Sequence, residues 1–154
     1  MKKIVVLSDT HGNYSSLEIL LPIINENDIL IHLGDHDSDL KFFQREIKSK
    51  IYSVKGNCDG GGEDLIIELD GVKILLTHGD RYDVKTSLYK LTLRAKKLGV
   101  NAVFYGHTHL SNITEIDGVT YCNPGSLSRY GECSYGYAVI YNGKLTVSIV
   151  PLNR

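Results

Sequence analysis

The sequence lacks the features that mark secreted, membrane-spanning and nucleic-acid-binding proteins. It has no tryptophan and only three cysteines, without a Cys-x-x-Cys pair, which favours reduced thiols in the cytoplasm over a disulfide framework. The apolar run after Lys3 ends before Ser8, which is too short for a signal peptide, and no apolar stretch could span a bilayer. With a net charge of -1, no overall field attracts the chain to nucleic acid or to a membrane. We therefore expect a soluble cytoplasmic protein.

The first half of the chain alternates between strand-like and helix-like segments. A hydrophobic content of 42% and a length of 154 residues predict one globular domain, residues 1–154. Strands are predicted at residues 3–7, 28–33 and 51–54, and helices from Asn13 or Ser15 to residue 25 and at residues 40–48. This β-α-β-α-β order predicts a parallel sheet with right-handed crossovers.

The second half contains three hairpin signals, which do not fit a purely parallel sheet. Asp70-Gly71, Asp117-Gly118 and Asn142-Gly143 each separate two strand-like segments. The predicted strands are residues 64–69, 72–77, 101–105, 113–116, 119–122, 135–141 and 144–150, with a helix at 85–98. An α/β fold of two stacked mixed sheets covered by helices accommodates this order.

Polar clusters follow five of the predicted strands. The clusters are Asp9-Thr10-His11, Gly34-Asp35, Gly56-Asn57, His78-Gly79-Asp80 and Gly106-His107-Thr108-His109. Because ligands gather at the carboxyl ends of strands in open α/β sheets, we expect these clusters to converge on one crevice. Their carboxylates, imidazoles and amide are too many for one tetrahedral zinc ion and suit two ions that share a bridging carboxylate. Such ligands without thiolate favour manganese, iron, nickel or zinc over calcium.

The ordered set of clusters resembles the calcineurin-like metallophosphoesterase superfamily. The set reads Asp-x-His, Gly-Asp, Gly-Asn-x-Asp, His-Gly-x and Gly-His-x-His, and with the later Asn-Pro-Gly-Ser it extends from Asp9 to Ser126. Gly-Asn-Cys-Asp at residues 56–59 and Asn-Pro-Gly-Ser at 123–126 are similar to the small phosphodiesterase branch of that superfamily. The resemblance implies a four-layer α/β/β/α sandwich, and it places the Asn-Pro-Gly-Ser motif at the border of the site.

The resemblance also implies a set of ligands and a reaction. One metal ion would be held by Asp9, His11 and His109, the other by Asn57, His78 and His107, with Asp35 as the bridge. Two divalent ions, manganese first, would clamp a small phosphodiester substrate, and a hydroxide bound between them would attack phosphorus. Asp59 would orient a ligand. We therefore expect a metal-dependent phosphodiesterase.

Two positions depart from the common pattern of the superfamily. Many members have a histidine, which contacts substrate or protonates the leaving group, where this chain has Cys58. A thiol with a pKa of about 8.5 is a poor general acid, which favours diesters with good leaving groups over monoesters. We hypothesise that His36, next to the bridging Asp35, partly replaces the missing acid. Many members also have a second histidine where this chain has Asp80. We expect this difference to alter the residues around the ligands or the contact with substrate, and to leave His78 as a metal ligand.

Two other functions and several plainer residue roles remain open. A binding scaffold without turnover has precedent in the retromer scaffold subunit, although every ligand position here carries a competent residue. A nuclease is disfavoured because no basic stripe is present. His32 is expected to be a packed core histidine, and Arg129 is either a phosphate ligand or a surface arginine. The tyrosines, among them Tyr130, Tyr135 and Tyr137, either pack in the sheets or, with the edge strands, support a homodimer.

Overall fold

The computed structural model describes residues 1–128 and 131–152. The strands within these ranges are β1 Lys2–Leu7, β2 Ile29–His32, β3 Lys50–Ser53, β4 Leu65–Leu69, β5 Val72–Leu76, β6 Ala102–Phe104, β7 Asn112–Ile116, β8 Val119–Asn123, β9 Ser134–Tyr141 and β10 Lys144–Pro151. The α-helices are α1 Tyr14–Asn25, α2 Asp39–Phe42 and α3 Tyr89–Leu98, and single 3-10 turns lie at Asn57–Asp59 and Asp80–Tyr82. In the part of the chain so described, no helix is both long and apolar enough to cross a membrane.

The strands form two five-stranded sheets of mixed direction, which confirms the predicted fold class. The first sheet has the order β10-β9-β1-β2-β3, with β1, β2 and β3 parallel and β9 antiparallel to both of its neighbours. The second sheet has the order β4-β5-β6-β8-β7, with β5, β6 and β8 parallel. The carboxyl ends of parallel strands share one edge of each sheet, so the loops that follow them are neighbours.

Alternation along the strands divides the core into layers. In β1, Ile4 and Val6 face the second sheet, whereas Val5 and Leu7 face α1. The layer between the sheets also includes Ile31, Ile74, Leu76 and Phe104. The outer layer on the first sheet includes Leu17, Leu20 and Ile24 of α1. The outer layer on the second sheet includes Leu91 and Ala95 of α3. This arrangement is the α/β/β/α sandwich, because a strand with a side-chain period of two can bury both faces.

Two helices are shorter than predicted. Of the predicted helix 40–48, only the first three residues are α-helical, as part of α2. The following N–H groups of Phe43, Gln44 and Glu46 donate to carbonyl oxygens three residues back. The apolar spacing survives in these turns, since Leu40 and Phe43 are buried. Helix α3 begins at Tyr89 rather than residue 85, because Ser87 and Thr86 use their hydroxyls in local hydrogen bonds that compete with helical ones.

Candidate metal centre

The ends of β1, β2, β5 and β6 bring four of the predicted clusters together. Nε2 of His109 lies 3.1 Å from Oδ1 of Asp9, and Nε2 of His11 lies 3.7 Å from the same oxygen and 3.6 Å from Oδ2 of Asp35. Nε2 of His78 lies 3.4 Å from Oδ2 of Asp35 and 3.2 Å from Nδ1 of His107. The first sheet therefore contributes both carboxylates and one imidazole, and the second sheet contributes three imidazoles.

These side chains form two groups with the spacing of metal ligands, and the groups share Asp35. The first group is Asp9, His11, Asp35 and His109, the second is Asp35, His78 and His107, and within each group the ligand-type atoms lie within 4.8 Å of one another. The two groups consist of the same residues as the two predicted ligand sets, apart from Asn57. Asp35 occupies the position of the predicted bridge.

The donor atoms of this centre fit divalent metal ions. Oδ1 of Asp9 and Nε2 of His11 are buried and make no hydrogen bond of acceptable geometry among the described residues, although imidazole nitrogens of His11 and His109 lie within 4 Å of Oδ1. Because buried polar atoms are nearly always hydrogen-bonded, two such atoms beside a carboxylate and several imidazoles indicate a site for a cation. The donors are carboxylate oxygens and imidazole nitrogens without thiolate, which suits manganese, iron, nickel or zinc.

The tautomer of His78 is set by its backbone contact. Nδ1 of His78 lies 2.8 Å from the carbonyl oxygen of Leu33, and because that oxygen can only accept, Nδ1 carries the proton. Nε2 of the neutral ring is then an open lone pair that faces Asp35 and His107. A carbonyl that fixes the tautomer of an imidazole in this way is the usual support of a metal-binding histidine.

The backbone of the centre is held in an uncommon conformation. Left-handed φ angles are rare for residues other than glycine and cluster at functional sites. Six residues in or beside the centre have them: Asp9 (54°), His11 (44°), Asp35 (61°), His36 (67°), His107 (72°) and His109 (64°). Such a concentration of left-handed residues marks this group of loops as a candidate functional site.

Two glycines leave room for the carboxylates. A Cβ at Gly106 would collide with Oγ of Ser8 and lie 2.8 Å from Oδ2 of Asp9. A Cβ at Gly56 would lie 2.6 Å from the backbone nitrogen of Asp35 and would also strike its side chain. The glycines of the sequence motifs are therefore required by close approach at these two positions.

Electrostatics keeps both carboxylates ionised. Burial acts to raise the pKa of Asp9, but the imidazoles of His109 and His11 outweigh it and hold the pKa well below its usual range. Burial also opposes ionisation of Asp35, whose pKa is nevertheless lowered by His78 and by the N–H of Cys58. Contact with Asp9 raises the pKa of His11, and Asp35 raises that of His78 against the effect of burial. A metal ion would compete with protons at these two imidazoles, so binding would weaken in acid.

Asp59 supports the centre through backbone groups. Its Oδ1 accepts a hydrogen bond from the N–H of His36 at 2.7 Å, and its Oδ2 accepts one from the N–H of Gly56 at 3.0 Å. The N–H of Cys58 in turn donates to Oδ1 of Asp35 at 2.9 Å. Asp59 thus ties the loop that carries Asp35 to the loop that carries Asn57, which gives its predicted orienting role a geometric basis.

The remaining predicted site residues lie at the rim. Asn57 and Cys58 are exposed, and Nδ2 of Asn57 lies 3.9 Å from Sγ of Cys58. Desolvation and the carboxylate of Asp35 raise the pKa of the Cys58 thiol, so the thiol stays protonated at neutral pH. His36 is half-buried, and its ring centroid lies 5.0 Å from that of His11. Asp80 is also half-buried and begins a 3-10 turn.

The Asn-Pro-Gly-Ser motif borders the centre, as predicted. Nδ2 of Asn123 donates to the carbonyl of Gly106 at 3.1 Å and to Oγ1 of Thr108 at 2.9 Å. Oγ of Ser126 donates to the carbonyl of Asp9 at 2.8 Å. The motif therefore holds two of the ligand-bearing loops and lies behind them rather than among the donors.

The plainer roles are resolved for several residues. His32 is a fully buried, hydrogen-bonded core histidine, which confirms the prediction. Tyr135 is buried and Tyr137 half-buried, so these two pack in the sheet as expected. Arg129 and Tyr130 lie outside the described residues.

Sequence reasoning missed the roles of Thr10 and Asp39, whose side chains share a hydrogen bond of 2.7 Å behind the centre. The position of Thr10 between two predicted ligands was the available signal.

The two-sheet sandwich carries paired histidine-carboxylate groups that suit metal ions, and comparison with known proteins gives the family. The model of the calcineurin-like phosphoesterase superfamily domain matches residues 1–143, and the chain belongs to this family. A protein of Mycoplasma pneumoniae named "Probable metallophosphoesterase" is 36% identical over 131 residues, covering 82% of this chain and 80% of that protein. A phosphodiesterase of Methanocaldococcus jannaschii is 30% identical over 149 residues, covering 83% of this chain and 86% of that protein.

Solved structures agree with the family assignment. A conserved uncharacterised protein of Streptococcus pneumoniae, described as a predicted phosphoesterase, superposes with a TM-score of 0.79 at 29% identity, over 97% of this chain and 89% of that chain. Vps29 of Entamoeba histolytica, crystallised in complex with zinc, has a TM-score of 0.74 at 21% identity, over 98% of this chain and 99% of that chain. The likeness to Vps29 shows the fold alone.

Proposed function

We propose that this protein is a phosphodiesterase that depends on two divalent metal ions. The observation that carries the proposal is the pair of ligand groups that share Asp35, together with Oδ1 of Asp9 and Nε2 of His11, which are buried and make no hydrogen bond among the described residues. Asp9, His11 and His109 would hold one ion, Asn57, His78 and His107 the other, and Asp35 would contact both. The phosphodiesterase name of the Methanocaldococcus jannaschii relative supports the reaction class.

The residues of the chain account for the demands of this chemistry. Two divalent ions held by these residues would supply Lewis acids for the phosphoryl oxygens and would acidify a water molecule. Asp9 and Asp35, whose pKa values are lowered, provide the negative charge that offsets the ions at neutral pH. The carbonyl of Leu33 keeps the proton of His78 on Nδ1, so the unprotonated Nε2 can bind a metal ion. Asp59 holds the loops of Asp35 and Asn57 in register.

The substrate class follows from the position that lacks a histidine. The Cys58 thiol, with its raised pKa, is a weaker acid than an imidazole and cannot protonate a poor leaving group at neutral pH. Esters with good leaving groups need little protonation, and together with the phosphodiesterase name of the Methanocaldococcus jannaschii relative this favours a small phosphodiester with a good leaving group as the proposed substrate. His36, whose ring lies beside that of His11, is the proposed partial replacement for the acid.

We further propose that the metal ions are manganese and that the protein acts in the cytoplasm. The mixed oxygen and nitrogen donors suit manganese, with nickel, iron and zinc as alternatives that a metal titration separates. Cys58, Cys122 and Cys133 are all free, which fits a reducing compartment.

The test compares a chromogenic phosphodiester with the matching monoester. Metal-stripped protein is assayed with and without added manganese, beside Asn57→Ala. Asn101→Ala is the matched control, because Asn101 is exposed and precedes β6, at the end of the strand opposite to the centre. We expect turnover of the diester only, dependent on manganese, lost in Asn57→Ala and kept in Asn101→Ala.

Each other result has a defined meaning. Comparable turnover of the monoester would contradict the proposed substrate class and require another acid. Absence of turnover of either ester, with two manganese ions bound in calorimetry, would contradict the enzyme and favour a binding scaffold. Activity on polymeric DNA or RNA that weakens steeply with salt would indicate a nuclease instead.

A further inference from the structure

Behind the metal centre lies a continuous set of buried hydrogen bonds, which we call the Thr10 network. The backbone N–H of Gly34 donates to Nδ1 of His32 at 3.0 Å, and Nε2 of His32 lies 3.0 Å from Oγ1 of Thr10. Oγ1 of Thr10 donates to Oδ2 of Asp39 at 2.7 Å, and the same carboxylate oxygen accepts the N–H of Gly12 at 2.8 Å. Thr10 and His32 are fully buried, and Asp39 is 4% exposed.

The proton positions in this network follow from its geometry. A backbone N–H can only donate, so Nδ1 of His32 must accept, and the proton of the neutral ring is on Nε2. Nε2 then donates to Thr10, whose own hydroxyl proton goes to the Asp39 carboxylate, the closest acceptor. Removal of the Thr10 hydroxyl therefore leaves the His32 proton without its acceptor and leaves Oδ2 of Asp39 with only the N–H of Gly12.

The network joins the two loops that carry the candidate ligands of the first sheet. Thr10 stands between Asp9 and His11, both of which have left-handed φ angles. Through His32 it reaches Gly34, and through Asp39 it reaches the first residue of α2; these are the two ends of the loop that carries Asp35. Oγ1 of Thr10 also lies 3.1 Å from the carbonyl oxygen of His36, within that loop. None of its members is a candidate ligand, so its influence on the centre acts through the positions of the loops.

We propose that Thr10, His32 and Asp39 are positioning residues that set the distance between the Asp9–His11 turn and Asp35, and thereby set the affinity of the centre for its metal ions. The inference rests on the proposed function only in requiring that the centre binds metal. The backbone of Asp9 is held from the second sheet by Ser126 and bonded directly to the carbonyl of Gly34 at 2.9 Å. The Thr10 network adds side-chain links from the middle of this strained turn to both ends of the loop that carries Asp35. Loss of such support behind metal ligands typically lowers metal affinity by about 10–100-fold.

The experiment measures manganese binding to metal-stripped protein by calorimetry, together with thermal unfolding without metal. Thr10→Val removes the hydroxyl at constant shape, and Thr10→Ser restores it. Asp39→Ala removes the acceptor at the other end, and the double variant tests whether the two act as a unit. Thr114→Val on edge strand β7 is the control for loss of a threonine hydroxyl elsewhere.

We expect Thr10→Val and Asp39→Ala each to raise the Kd for manganese by about 10-fold or more, with Thr10→Ser and Thr114→Val close to the unmodified protein. The double variant should lose no more than the larger single loss, because both changes break one network. If Thr10→Val does not fold, Asp39→Ala with the same readout carries the test.

The outcomes separate this inference from the proposed function. Folded Thr10→Val and Asp39→Ala proteins that bind manganese with unchanged affinity would overturn the inference and leave the enzyme intact. Losses that add in the double variant would also overturn it, since independent structural effects add. Manganese binding that follows the expected pattern without any diester turnover would support the inference and overturn the proposed activity. Absence of manganese binding in the unmodified protein would overturn both.

Discussion

The buried imidazole of His32 should make the metal-free protein lose stability as the pH falls below neutrality. Complete burial lowers the pKa of His32 to about 4, against 6.5 for an unperturbed side chain. The N–H of Gly34 points at Nδ1 and leaves no room for a second ring proton. Between these two pKa values the unfolded chain binds a proton that the folded chain does not, so the free energy of unfolding decreases as the pH decreases.

The size of this effect follows from the two pKa values. Full titration corresponds to about 3 kcal/mol, reached near pH 4, and the part lost between pH 7.5 and 5 is about 2 kcal/mol. The sign is that of a group with a depressed folded-state pKa: the stability is present above pH 6.5 and is lost as the pH falls toward 4. The limited range from 7.5 to 5 avoids titration of most carboxylates.

The assay is urea unfolding of metal-stripped protein at a series of pH values, for the unmodified chain and for His32→Gln. Glutamine keeps a polar donor and acceptor but does not titrate, so the difference between the two proteins isolates His32 from the other histidines. We expect the unmodified protein to lose about 2 kcal/mol more than the variant between pH 7.5 and 5. Parallel pH profiles of the two proteins would refute the conclusion that His32 is held neutral by its surroundings.

Two further predictions concern the centre. His36→Ala should change the pH–rate profile for the diester, because the variant lacks the proposed acid; a profile identical to that of the unmodified protein would exclude that role for His36. Gly106→Ala should lower stability by about 1–3 kcal/mol and weaken manganese binding, because its Cβ would strike Ser8 and the Asp9 carboxylate. Gly118→Ala, whose Cβ meets open space, should leave the calorimetric metal titration unchanged.

Local sequence was sufficient to locate most elements and the candidate ligands. Continuous apolar runs end shortly before Asp9, Asp35, His78 and His107, and the ends of these buried strands are visible because polar residues interrupt the runs. The three hairpins were equally visible from their Asp-Gly and Asn-Gly turns, since these turns need left-handed backbone at fixed positions. All of these signals act over a few residues.

Competing local bonds limited what periodicity could predict about helix length. The apolar spacing in residues 40–48 suits a helix, yet the chain turns after Phe42 and keeps Phe43 buried through three-residue turns. Hydroxyl groups of Thr86 and Ser87 delay α3 in a similar way. Spacing alone does not distinguish a helix from successive turns that bury the same residues, because both place those residues on one side.

The sequence by itself determined which residues can bind metal and in what order they occur, since residue type and strand ends are local properties. Only the tertiary structure decided that β9 pairs antiparallel with β1, how close the ligands from the two sheets come to one another, and that Thr10 reaches Asp39 behind them. These features depend on long-range packing: the sheets meet through one apolar layer, and that contact brings the loop of Asp9 to within 3.1 Å of His109, which lies on the other sheet. No pattern within a single segment specifies such a distance.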